Sequence, residues 1–110
     1  MTRILVVEDS PTQAQQLAIL LSDAGCEVEF APDATEGYAR ATSEQFDLFM
    51  IDVHLPDGDG FELCRRIKAN SKLKNTPVLI DTADPNPKNV LRGIEADADG
   101  FMTKTIRPTR

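Results

Sequence analysis

The stretch that decides the fold covers residues 46–60 and reads FDLFMIDVHLPDGDG. An apolar run leads up to Asp52, and a segment rich in turn-forming residues follows it. Open α/β sheets place their chemistry where such loops leave the carboxyl ends of the strands. The stretch therefore predicts a buried strand that carries Asp52 to the functional edge of a parallel sheet.

Four further strand-like runs alternate with segments of helical period along the chain. This alternation is typical of repeated βα units around a parallel sheet. The first, third and fourth runs are nearly all apolar, as expected for strands covered on both faces. We predict strands over Arg3–Val7, Glu27–Ala31, Asp47–Asp52, Val78–Thr82 and Gly100–Thr103.

Start signals precede each predicted helix. The expected N-caps are Ser10, Asp33, Asp59 and Asn86, and a proline follows the first and the last of them. Gly25 is expected to end the helix after Ser10, and the apolar face of that helix recurs at helical spacing in Ala14, Leu17, Ala18 and Leu21. On the helix after Asn86, the apolar face consists of Val90, Leu91 and Ile94.

Length and composition exclude several classes of protein. The 110 residues suggest one domain, 1–110. Twelve basic against eighteen acidic residues give a net charge of −6, which argues against direct nucleic-acid binding. No apolar run approaches the roughly 20 residues that span a bilayer, and the N-terminus lacks a secretory signal. We therefore expect a cytoplasmic protein with no membrane contact.

The two cysteines are too few for a disulfide framework. Cys64 lies in a helical segment and is expected to be a small core residue. Cys26 follows a predicted helix end and is expected to be partly exposed.

Charged and hydroxyl side chains follow four of the predicted strands. Glu8 and Asp9 follow the first strand, Asp52 ends the third, Thr82 ends the fourth and Lys104 follows the fifth. Right-handed connections bring all these strand ends to one edge of the sheet. Three neighbouring carboxylates repel one another unless a cation neutralises them, and hard oxygen ligands suit magnesium.

This edge therefore predicts a site for a magnesium ion and a phosphoryl group. Asp52 is the candidate nucleophile, because a carboxylate can form an acyl phosphate. Lys104 would balance the charge of the new phosphoryl group, and the Thr82 hydroxyl would donate a hydrogen bond to it. Taken singly, each residue has an ordinary interpretation as a turn, cap or surface residue. The hypothesis rests on all these positions falling at the correct strand ends.

The order and spacing of these motifs resemble the receiver domain of bacterial two-component response regulators. The matching segments are residues 4–10, Asp52 with Leu55-Pro56 and Asp59-Gly60 behind it, residues 77–80, Thr82-Ala83 and residues 98–104. The resemblance implies a flavodoxin-like, doubly wound parallel five-stranded sheet of order 2-1-3-4-5. Only seven residues follow Thr103, so the fifth helix is expected to be missing and one sheet face to lack part of its cover.

The resemblance also implies a role for the acidic residues. Asp52 would accept a phosphoryl group from a phosphohistidine on a sensor histidine kinase or a histidine phosphotransfer domain. Asp9, Asp52 and the backbone carbonyl of His54 would bind Mg²⁺ directly, and Glu8 would act largely through water. His54 and Asp84 would flank the path of the water that hydrolyses the phosphate.

A switch would follow from the same resemblance. Thr82 and Lys104 would bind the phosphoryl oxygens, and Phe101 would swing inward as Thr82 moves. The protein would be a phosphoacceptor switch with at most slow self-dephosphorylation, and not a turnover enzyme. Its output would pass to an attached output domain or through self-association.

Some residues depart from the family pattern, and other functions remain open. Thr105 follows the lysine where proline is usual, Asp81 replaces an apolar strand residue, and Asp97 stands where a turn glycine is common. The main alternative is a receiver-like interaction domain that no longer signals by phosphorylation. A carboxylate-nucleophile phosphatase would need a substrate cap, and a flavin-binding protein would need a phosphate-cradling loop after the first strand. Neither feature is visible in the sequence.

Overall fold

A five-stranded parallel sheet organises the structure, a computed structural model that describes residues 1–83 and 86–103. Its strands are β1 (Arg3–Val7), β2 (Glu27–Ala31), β3 (Leu48–Asp52), β4 (Val78–Thr82) and β5 (Gly100–Thr103). Their order is β2-β1-β3-β4-β5, which confirms the predicted flavodoxin-like fold class. The expected absence of a fifth helix concerns residues 104–110, which lie outside the described residues.

Strand β3 begins one residue later than predicted. The Asp47 side chain accepts a hydrogen bond from the Arg3 amide at 2.8 Å, and the Asp47 amide donates to the Arg3 carbonyl at 2.8 Å. The acceptor for the first amide of β1 is therefore the Asp47 carboxylate. In a regular strand pair, that acceptor would be a backbone carbonyl. The other four strands have the predicted bounds.

The helices begin at the predicted caps. They are α1 (Pro11–Asp23), α2 (Ala34–Ser43), α3 (Gly60–Ala69) and α4 (Pro87–Glu95). In each case the side chain of the N-cap residue accepts a hydrogen bond from the amide three residues later, at 2.8–3.3 Å. The caps are Ser10, Asp33, Asp59 and Asn86.

Two apolar clusters cover the two faces of the sheet. Alternate residues of β1 divide between them, because successive side chains of a strand point to opposite faces. Leu5 and Val7 belong to the larger cluster, under α2 and α3. Ile4 and Val6 belong to the smaller one, where α1 contributes its predicted apolar face through Leu17 and Leu21.

The predicted apolar face of α4 packs against the protein only in part, since Val90 is half-buried but the other two residues are exposed. Leu91 and Ile94 are 54% and 63% exposed. Instead, α4 approaches the sheet through Gly93, which is buried. A Cβ placed on Gly93 would collide with the Phe101 ring, with Cε2 at 2.6 Å, so the ring occupies the space that a side chain would need.

The cysteines are placed as predicted. Cys64 is fully buried in the larger cluster, and its thiol donates a hydrogen bond to the Ala96 carbonyl at 3.3 Å. Burial raises the pKa of this thiol to about 11. Cys26 is half-buried at the edge of the smaller cluster.

Asp97, just after α4, has a left-handed backbone with φ of 66°. Gly25 takes the equivalent position after α1 with φ of 87°, as its predicted helix-ending role requires. Asp97→Gly should stabilise the protein by about 0.5 kcal/mol, because glycine adopts this conformation without a Cβ clash. Urea denaturation measures the change, and Asp97→Ala, which keeps the Cβ, should give no gain. A glycine variant no more stable than the alanine variant would contradict this account.

Candidate functional site

Three carboxylates meet at the carboxyl edge of the sheet, as predicted. Oxygen atoms of Glu8, Asp9 and Asp52 all lie within 4.8 Å of one another. Strand register explains the meeting, because Val7 is paired with Ile51, and the next residues on these neighbouring strands are Glu8 and Asp52. Glu8 and Asp52 are each 6% exposed, whereas Asp9 is exposed.

Backbone hydrogen bonds hold the ends of these strands in place. The Glu8 amide donates to the Ala31 carbonyl at 3.0 Å, which extends the pairing of β1 with β2 past its last residue. The Glu8 carboxylate accepts from the Ser10 amide at 3.1 Å, at the start of α1. The Val53 amide donates to the Asp81 carbonyl at 3.3 Å, which holds the exit of β3 against β4.

The donor set fits a hard divalent cation. Carboxylates this close repel one another, and two of them are largely removed from water, which strengthens the repulsion. A divalent cation that prefers oxygen ligands would relieve it. Because Asp9 is exposed, water can complete the coordination shell. Magnesium is therefore compatible with this acidic pocket on the chemistry of its side chains.

The loop after Asp52 folds into a small hairpin that the sequence did not predict. His54–Leu55 pairs in antiparallel fashion with Gly58–Asp59. The Gly60 amide closes the loop by donating to the Val53 carbonyl at 2.8 Å. The run of turn-forming residues at 56–58 was the only sequence signal for this hairpin. Strands of two residues are too short to give a recognisable strand pattern.

Gly60 lies directly against the backbone of Asp52. A Cβ at this position would collide with the Asp52 carbonyl oxygen and lie 2.9 Å from both its carbonyl carbon and Ile51 Cγ2. The start of α3 can therefore approach the end of β3 only because residue 60 has no side chain.

The other predicted site residues are placed only in part. Thr82 ends β4 and is 2% exposed, one residue beyond the Asp81 that pairs with Asp52. Phe101 is half-buried on β5, paired with Ile80 and in contact with Gly93 of α4. His54 is exposed in the hairpin. The predictions for Lys104, Asp84 and Thr105 lie outside the described residues.

Sequence reasoning missed the contact made by Asp57 at the tip of the hairpin. Its carboxylate accepts hydrogen bonds from the Ala34 and Thr35 amides at 2.8 and 2.9 Å and from the Thr35 hydroxyl at 2.6 Å. These bonds, led by that from the hydroxyl, lower the pKa of Asp57 to about 2. No local pattern could have revealed a partner more than twenty residues earlier in the chain.

Comparison with known proteins agrees with this geometry. A model of the response regulator receiver domain family matches residues 4–110. The DNA-binding dual master transcriptional regulator RpaA of Synechocystis sp. is 36% identical over 104 residues, which are 94% of this chain and 43% of RpaA. The chain thus spans less than half the length of this curated relative.

Solved structures give the same result. The chemotaxis response regulator CheY4 of Vibrio cholerae is 35% identical and superposes with a TM-score of 0.91, over 98% of this chain and 90% of CheY4. The Mn²⁺-bound form of response regulator Rcp1 is 27% identical, with a TM-score of 0.87 over 97% of this chain and 84% of Rcp1.

The doubly wound α/β sheet and the acidic pocket at its carboxyl edge agree with these matches. The chain belongs to the response regulator receiver domain family, which acts in two-component signalling. Members of this family are switches and not enzymes in the usual sense. Within the described part of the chain, no helix has the length and apolar character to cross a bilayer.

Proposed function

We propose that residues 1–110 form a receiver domain that accepts a phosphoryl group on Asp52 from a phosphohistidine. The donor would be a sensor histidine kinase or a histidine phosphotransfer domain. The observation that carries the proposal is the group of three carboxylates within 4.8 Å, in which Asp52 is buried at a strand end.

The proposed transfer is a direct displacement at phosphorus. An Asp52 carboxylate oxygen forms the new O–P bond while the P–N bond to the donor imidazole breaks, and the imidazole leaves with its electron pair. The product is an aspartyl phosphate, and positioning of the two reactants supplies most of the rate enhancement. Asp9, at the same pocket, is exposed, so a donor could reach the pocket from solvent.

Magnesium would be held by Asp9, Asp52 and the His54 backbone carbonyl, with Glu8 acting largely through water. When bound, the ion would neutralise charge on the phosphoryl oxygens. The Glu8 carboxylate, fixed by the Ser10 amide, would orient a water ligand from its buried position.

Thr82 and Phe101 would convert phosphorylation into a change of surface. The Thr82 hydroxyl would donate to a phosphoryl oxygen, and Lys104 would pair with its charge. Phe101 would then change position on β5, where its ring already lies in the space beside Gly93. Leu91 and Ile94, exposed on the same helix as Gly93, would belong to the surface that this movement alters.

The output and the phosphate lifetime are further parts of the proposal. An attached output domain or self-association would receive the signal, and self-dephosphorylation would be slow. A net charge of −6 supports a chain that does not itself contact nucleic acid.

Phosphorylation by acetyl phosphate should require magnesium. EDTA should stop the reaction, and Asp9→Asn should slow it more than about tenfold at a fixed magnesium concentration, since a direct ligand loses its charge. Mass spectrometry of the intact chain measures the phosphoryl group. Asp23→Asn is the matched control, because it removes an exposed carboxylate at the far end of α1.

The fold should survive Asp9→Asn, because the change relieves carboxylate repulsion. Wild-type rates in this variant would refute the metal assignment. A wild-type chain that gains no phosphoryl group with magnesium present would favour the alternative, an interaction domain that no longer signals by phosphorylation.

A further inference from the structure

The hairpin that follows Asp52 is attached to three helices. At its tip, the Asp57 carboxylate accepts three hydrogen bonds from Ala34 and Thr35, the first two residues of α2. On its return strand, Asp59 accepts from the Glu62 amide of α3 at 2.8 Å and from Arg92 Nη2 of α4 at 2.8 Å. The loop between Asp52 and α3 is therefore held from both sides.

Helix α2 does not need Asp57 for an N-cap of its own. Asp33 already caps it in the usual way, by accepting from the Glu36 amide at 2.8 Å. Asp57 binds the two amides that precede this one, which are exposed and could be satisfied by water. The third bond, from the Thr35 hydroxyl, adds a side-chain donor in a fixed position.

The bonds of Asp57 to α2 affect His54, at the beginning of the hairpin. His54 is paired with Asp59, so its backbone position depends on how the hairpin is held. Asp57 is three residues from His54 and far from its own partners in sequence. Without this carboxylate, the outgoing strand would keep its pairing with Gly58–Asp59 and the buried Leu55 side chain, but it would lose its three hydrogen bonds to α2. Two-residue strands have little stability of their own, so this loss would loosen the exposed part of the hairpin.

We infer that Asp57 is a positioning residue for phosphoryl transfer, which holds the loop that presents the His54 carbonyl by binding it to the amino end of α2. The inference rests on the proposed function, in which that carbonyl binds magnesium. It gives α2 a part in the chemistry of Asp52, although no residue of that helix belongs to the acidic pocket.

The test compares Asp57→Ala with Asp33→Ala. Each variant removes one carboxylate from the amino end of α2, but only Asp57 belongs to the hairpin. Magnesium affinity is measured from backbone amide shifts in a magnesium titration, and phosphorylation by acetyl phosphate is followed at rising magnesium concentrations. Urea denaturation of both variants records the loss of stability.

Asp57→Ala should bind magnesium about tenfold more weakly, as for other losses of a group that orients a ligand. Saturating magnesium should restore its phosphorylation rate to within about twofold of wild type, because the nucleophile is unchanged. Asp57→Asn keeps an acceptor oxygen and should recover most of the affinity. Asp33→Ala should lower the urea midpoint and leave magnesium affinity at the wild-type value.

Two results would overturn the inference. One is wild-type magnesium affinity in Asp57→Ala, and the other is an equal loss in Asp33→Ala, which would make helix stability the cause. A wild-type chain without magnesium-dependent shifts would overturn the proposed function, and this inference with it. The wild-type titration therefore separates failure of the proposed function from failure of the role of Asp57.

Discussion

Asp52→Asn should abolish phosphorylation by acetyl phosphate in the presence of magnesium. The amide nitrogen replaces one carboxylate oxygen, and the neutral side chain is no longer a nucleophile that can form an acyl phosphate. The chain should remain folded, since the substitution keeps the shape of a buried side chain and removes one of three mutually repelling charges. Intact mass after the reaction would show one phosphoryl group on the wild type and none on the variant.

Asp81→Asn is the matched control for this experiment. Asp81 is paired with Asp52 across β3 and β4, so the same change of charge is made one strand away. This variant should take up one phosphoryl group, as the wild type does. Equal uptake by Asp52→Asn and the wild type would show that the acceptor is another residue, and the proposed function would fail at its central point.

Gly60→Ala should produce the largest loss of stability among the substitutions considered for this protein. The added Cβ would collide with the carbonyl oxygen of Asp52, which is backbone and cannot turn away. The buried Ile51 side chain, with Cγ2 at 2.9 Å from the same Cβ, would be crowded as well. Forced overpacking of this kind costs about 3 kcal/mol, a large part of the roughly 5–15 kcal/mol that a domain has in total.

Gly58→Ala tests whether the loss of stability in Gly60→Ala comes from the collision at that position or from the loss of a glycine in general. Gly58 lies two residues earlier, in the hairpin that leads to Gly60, and a Cβ there would meet nothing within 4 Å. Its stability should stay within about 0.5 kcal/mol of wild type, as for most surface changes. Urea denaturation of both variants decides the matter. Similar midpoints for the two would mean that the approach of α3 to Asp52 relaxes at little cost.

Local sequence patterns account for the positions of the secondary structure. The N-caps and the apolar strands depend on neighbouring residues, so a single chain displays them. The grouping of Glu8, Asp9 and Asp52 could also be predicted, because parallel strands share one edge and each residue ends a strand or lies within two residues of its end. Residues that are separate in the sequence thus lie in one pocket because their strands are parallel neighbours.

Features that depend on packing between distant segments could not be predicted. The orientation of α4 follows from the contact of Gly93 with Phe101, and an apolar stripe alone does not reveal that its leucine and isoleucine face outward. The contact of Asp57 with α2 could not be predicted either. An aspartate in a turn has the same local sequence pattern whether or not its carboxylate binds a distant helix.

The burial of Cys64 makes this chain convenient for spectroscopic work. The protein contains no tryptophan, so its intrinsic fluorescence is weak. A maleimide dye attacks thiolates, and Cys64 offers neither access nor a readily ionised thiol. Cys26 is half-buried and lies just before β2, at the amino edge of the sheet and opposite the acidic pocket. A single reporter can therefore be attached to the natural sequence, at a point remote from the chemistry that it would be used to follow.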